Sequence, residues 1–188
     1  MKLWTVQPVK VYESILENGY FICDEKYIGE YWKERYNWLV EKMKEKIGTP
    51  PKKIKYPIWA WYKYNGKNHK PDLRVSALGN RGDKMVCIEL DIPDNEVVLS
   101  DFDAWHSVLN DWYYNVNCIS EEIWDNDHEW LDSLTPEEKQ KAIEKSWNDI
   151  FDISEYESDW CRRGKWVQAT FWVLKKEYIK KVQYFTAR

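Results

Sequence analysis

The chain has 188 residues, 44% hydrophobic and 32% charged, with a formal net charge of −4. That composition excludes an intrinsically disordered chain, and no apolar run reaches membrane-spanning length. The start lacks a basic-then-apolar leader, and Cys23, Cys87, Cys118 and Cys161 form no C-x-x-C pair, which reads as a cytoplasmic protein with reduced, mostly buried thiols.

Residues 2–7 read as a short strand. Pro8 leads into a helix over 9–18, with Val11, Tyr12, Ile15 and Leu16 on one face and Gly19 as its stop. Residues 20–22 read as a brief extended piece. A long helix is expected over 28–47, where Trp32, Tyr36, Leu39, Val40, Met43 and Ile47 recur at three-to-four spacing, and Gly48, Pro50 and Pro51 end it.

The middle turns to strand signals. Residues 56–64 are a dense aromatic strand broken by the turn pair Asn65-Gly66. Further strands are expected over 85–92 and 97–99. Ser100 then caps a helix, with Asp103 in capping-box position and Phe102, Trp105 and Leu109 along the inner face. Helices follow over 119–131 and 135–147. The second opens with Thr135-Pro136-Glu137-Glu138, which joins a capping threonine, a first-position proline and a box glutamate. A polar stretch over 152–164 precedes two closing strands, 165–174 and 181–185, around a short turn or helix near Glu177. The expected fold is one α+β domain, with small antiparallel or mixed sheets and several helices.

Thirteen residues are tryptophan. Indole is costly to expose and is used in quantity where a core or a binding face needs it. Trp59 and Trp61 alternate with Ile58 and Ala60, so both project from one strand face and could stack a ring. Trp32, Trp105 and Trp147 lie on helical faces and are read as packing. Gln168 and Thr170 share a face of the last long strand, where polar groups need partners. Asp72 and Arg74 flank Leu73, so they either pair with each other or let Arg74 clamp an anion. Asp101, Asp103 and His106 form a secondary cluster at a helix start, read first as dipole-complementing caps and otherwise as an acid–base or metal group.

Charge is segregated along the chain. Residues 91–132 hold twelve acidic residues and no lysine or arginine. Residues 162–188 hold eight basic residues against Glu177, and residues 26–55 hold nine against four glutamates. Such asymmetry marks either a solvated face or a partner surface. There is no G-x-G-x-x-G, P-loop, G-x-S-x-G or H-E-x-x-H, and three histidines restrict triad and metal schemes. Nucleic-acid binding lacks both a module and a positive net charge.

The series Leu3-Trp4-Thr5-x-Gln7, Tyr56-Pro57-Ile58-Trp59-Ala60-Trp61, Pro71-Asp72-Leu73-Arg74, Ser100-Asp101-Phe102-Asp103-x-Trp105-His106 and Gln168-Ala169-Thr170-Phe171-Trp172 resembles an uncharacterised bacterial family whose domain has no known function. The resemblance spans essentially the whole chain and implies no activity. A second pattern is similar to the ADP-ribosyltransferase-like fold: an opening strand, helix and glycine, then a central aromatic strand, and an ending of Gln168 to Trp172 followed by Tyr178-Ile179-Lys180-Lys181-Val182. It implies an NAD-like nucleotide as ligand. The chain departs from it at two positions, offering Thr5 and Gln7 where an NAD-holding arginine or histidine belongs and Gln168 in place of the catalytic glutamate, so transferase activity does not follow.

Three functional expectations result. The first is a nucleotide-like ligand in an aromatic-lined cleft built from Thr5, Gln7, Trp59, Trp61, Arg74 and Gln168. The second is a protein partner engaged by the acidic face 91–132. The third is a metal-dependent hydrolase using Asp101, Asp103 and His106.

Overall fold

Pro8, extended at φ −57° and ψ 145°, ends strand β1 (Lys2–Pro8) and opens helix α1 (Val9–Asn18) without a side-chain cap. Gly19 stops α1 at φ +83°, its N–H returning to the Ile15 carbonyl at 2.9 Å, a left-handed cap that glycine adopts at least cost. In this computed structural model every residue except Lys52 is described. Strand β2 (Tyr20–Phe21) follows, then helix α2 (Lys33–Ile47), β3 (Ile58–Lys63), β4 (Lys84–Asp91) and β5 (Val98–Asp101). Helices α3 (Phe102–Leu109), α4 (Glu121–Ser133) and α5 (Pro136–Ser146) come next. The short pair β6 (Tyr156–Glu157) and β7 (Arg162–Arg163) leads to β8 (Val167–Phe171), β9 (Leu174–Lys175) and β10 (Ile179–Thr186). The architecture is α+β. No described helix is long and apolar enough to cross a membrane.

The chain divides into two compact units, Met1–Val98 with Gln168–Arg188, and Leu99–Val167. The first unit is built on a sheet in which β10, β4, β1, β3 and β8 are neighbours in that order. β1 runs antiparallel to both β3 and β4, and β4 antiparallel to β10. α1 packs on β1 and β4 and buries Val11 and Ile15. Leu3, Ile88, Leu90, Phe171 and Leu174 are enclosed in the same unit, with Leu39 and Met43 from α2. Asn65 and Gly66 both take positive φ, 53° and 74°, and close the tight turn after β3 that their sequence predicts.

The second unit is mainly helical. Ala104, Trp105 and Val108 of α3, Leu131 of α4, Ile143 of α5, and Trp147 and Ile150 just beyond it are buried. Thr135 caps α5 with a full capping box: its Oγ1 accepts from the Glu138 amide, and the Glu138 carboxylate accepts from the Thr135 amide at 3.0 Å. β6 and β7 pair as a small antiparallel ribbon.

Several boundaries differ from expectation. The helix expected from residue 28 starts at Lys33. Before it come two separate 3-10 turns, Glu25–Tyr27 and Glu30–Trp32, the first capped by Asp24 and the second opened by Gly29, whose extended backbone breaks the helix. The α3 cap is Asp101 rather than Ser100. Ser100 remains in β5 with its side chain buried, and the inner face turns to Ala104, Trp105 and Val108. Of the four thiols only Cys87 is fully buried; Cys23, Cys118 and Cys161 are half-buried.

Candidate functional site

In the first unit, Thr5 is buried and its Oγ1 donates to the Trp59 carbonyl at 2.8 Å, while the Gln7 Nε2 donates to the Thr5 Oγ1 at 2.8 Å. Those three residues therefore meet. Trp59 is half-buried and makes an edge contact with Tyr36 of α2 at 6.2 Å. Trp61 pairs in register with Trp4 and touches Tyr64 at 5.4 Å. Arg74 forms a bidentate pair with Asp72, with Nη2 to Oδ2 at 2.7 Å and Nε to Oδ1 at 2.8 Å. That guanidinium holds the Asp72 carboxyl down at about 2. Gln168 is half-buried in β8 beside the enclosed Ala169, and Thr170 Oγ1 donates to the Val98 carbonyl at 3.4 Å.

Asp101 lies in the second unit, 1% exposed. Its Oδ1 accepts from the Ala104 amide at 3.0 Å, which caps α3, and its Oδ2 accepts from the Gly164 amide at 2.7 Å. Burial pushes its pKa up, against the pull of those two amides. Gly164 sits at φ +75°, and a Cβ there would fall 2.7 Å from the Ile153 carbonyl oxygen, so only glycine fits. His106 is exposed, with Nδ1 2.9 Å from the Phe102 carbonyl oxygen on its own helix. Among the described residues no group of three or more His, Cys, Asp or Glu side chains could hold a metal, so Asp101, Asp103 and His106 do not assemble into one.

Asp103 belongs elsewhere. It projects from the first turn of α3 into a cavity of about 240 Å³, which also takes in Tyr113, Asp127, Trp124 and Trp160. The loop 112–118 is anchored at the end of α5 and on the turn that follows it. The Trp147 indole donates to the Trp112 carbonyl at 2.9 Å, and the Tyr114 amide donates to the Ser146 Oγ at 2.9 Å. The Asn115 amide group donates to Asp127 Oδ2 at 2.7 Å and orients that carboxylate. On α4, His128 lies one turn after Trp124, with ring centroids 3.7 Å apart. Opposite, Ser158 Oγ accepts from the Trp160 and Cys161 amides, and Arg163 Nη1 donates to the Val116 carbonyl at 2.5 Å, tying the 158–163 segment to the loop.

The electrostatics of this cavity are negative. Asp103 and Asp127 line it together with Arg162, which is drawn to Glu157 at 3.4 Å. The unit around it holds seventeen acidic and six basic residues, a net charge of −11, while the remaining residues hold fifteen and twenty-two, a net of +7. Burial raises the Cys118 and Cys161 thiols, so both stay protonated near neutral pH and are weak nucleophiles. Aromatic rings beside carboxylates with no activated nucleophile suit binding of a cation. Of these lining residues only Asp103 stands out in the sequence; Tyr113, Trp124, Asp127 and Trp160 come together only in the fold. The available signals were the unbroken acidic run and the Trp124/His128 spacing.

The family described as Domain of unknown function (DUF3841) matches residues 2–180. No curated protein and no solved structure matches the chain, so the ADP-ribosyltransferase resemblance gains no support from them.

Proposed function

The chain belongs to this family of domains of unknown function, and from its geometry we propose that the unit Leu99–Val167 is a recognition module for a basic protein partner. The observation that carries the reading is α4. This 13-residue helix has six carboxylates, no lysine or arginine and a single buried residue, Leu131. Its Trp124 and Trp130 are 47% and 45% exposed, and Trp112 and Trp160 of the same unit are 61% and 48% exposed. Exposed indole at that level is unfavourable in water and is a recurring feature of binding faces, where Trp, Tyr and Arg supply most of the energy. Negative charge around it steers a positive partner and sets the orientation of docking.

The test is isothermal titration of the full chain with a lysine-rich peptide at low and high ionic strength. Binding should weaken with salt, and the double reversal Asp125→Lys/Glu129→Lys on the exposed face of α4 should weaken it by about tenfold or more. Affinity unchanged by that reversal would remove the acidic face from the account.

A further inference from the structure

We infer that the cavity of about 240 Å³ in the unit Leu99–Val167 is the seat of one basic side chain of the partner, with its stem against Tyr113, Trp124 and Trp160 and its N–H group received by Asp103 and Asp127. The inference rests on the reading of this unit as a module for a basic partner. Three observations narrow the occupant beyond that reading.

The first is size. Pockets for drug-sized ligands begin at about 300 Å³, so this cavity suits a single side chain better than a nucleotide. The second is charge. Arg162 leans on Glu157, which Lys165 also bridges, and among the described residues neither Asp103 nor Asp127 has an ion-pair partner, so a cation from outside can answer them. A monovalent cation between them gains charge-assisted hydrogen bonds that a neutral group of the same shape cannot make. The third is the walls. Tyr113 meets Trp130 edge-on at 5.7 Å and Trp124 lies against His128 on its own helix, so two of the three aromatic walls are packed against a neighbouring ring. Aromatic faces attract both an aliphatic stem and the cation at its end. A lysine side chain meets all three conditions, since its ammonium carries three donors on a four-carbon stem. A quaternary ammonium would offer the carboxylates no N–H.

The experiment uses the full chain and two small probes, Nα-acetyl-lysine methylamide and its norleucine counterpart, followed by the indole resonances and by competition against the lysine-rich peptide. The lysine probe should bind weakly and displace the peptide, and the norleucine probe should do neither. Asp127→Asn should cut affinity for both lysine probe and peptide by about tenfold. Trp160→Ala, in an exposed loop, should do the same if the asparagine variant proves unstable. Peptide binding that responds to Asp125→Lys/Glu129→Lys yet is indifferent to Asp127→Asn and Trp160→Ala would overturn the cavity assignment and leave the module reading intact. Absence of any peptide binding would overturn both.

Discussion

Asp101 ties the start of α3 to Gly164, which lies 63 residues beyond it in the chain, through one buried carboxylate. Truncating it strips both amides of their acceptor, and Asp101→Ala should lower stability by about 2–4 kcal/mol in urea unfolding. Gly164→Ala should cost a similar amount, because the added methyl meets backbone and the left-handed φ is strained as well. Since burial raises the Asp101 pKa above its unfolded value, ionising the group costs more in the folded chain than in the unfolded one. Its contribution is complete below the ordinary carboxylate pKa and declines as pH rises through the folded one. The advantage of wild type over Asp101→Asn should therefore grow as pH falls from 7 towards about 4. The thiols offer a second check at this scale. Burial raises all four, Cys87 up to about 11. Alkylation of the native chain at neutral pH should be slow throughout and slowest at Cys87, and rapid modification of Cys118 or Cys161 would contradict the protonated state argued for the cavity.

Among the elements, α1 is legible to the residue and the start of α5 with its cap equally so, because punctuation and periodicity agree there: Pro8 and Gly19 bracket one, Thr135-Pro136 and Glu138 open the other. Thr135→Ala should cost about 1 kcal/mol, read as a lower midpoint in thermal unfolding. Where the signals conflict, the structure departs from the expected boundary. The apolar spacing runs back to Ile28, but Gly29 has no side chain to cap a helix and the chain takes two 3-10 turns first. At α3 both Ser100 and Asp101 are competent caps by type, and both lie in β5; Asp101, the last residue of the strand, takes the cap because its carboxylate reaches the Ala104 amide. The cavity was less legible than any element. Its α4 residues stand at helical spacing and its carboxylates belong to the acidic run. The loop 112–118 and the segment 158–163 that complete it are 45 or so residues apart and meet through contacts such as Arg163 with Val116 and Cys161 with Val116, which no local pattern announces.

For the whole molecule, a net charge of −4 conceals a unit of −11 and another of +7. The acidic run expected over 91–132 is split by the unit boundary at Val98/Leu99, which leaves Asp91, Asp94 and Glu96 in the other unit, while the acidic unit extends past residue 132 through α5 and the β6–β7 ribbon to Val167. Exposure of tryptophan follows the same line: the described indoles that are most exposed, at positions 112, 124, 130 and 160, all belong to the acidic unit. Trp4, Trp105, Trp147 and Trp172 are buried, and Trp59 and Trp61 are half-buried in β3. The thirteen indole N–H resonances therefore separate the competing accounts in one spectrum. Titrating the full chain with the lysine-rich peptide should shift Trp124, Trp130 and Trp160 and leave Trp4, Trp59 and Trp61 in place. Shifts confined to Trp59 and Trp61, or none at all, would contradict a basic partner on the acidic unit.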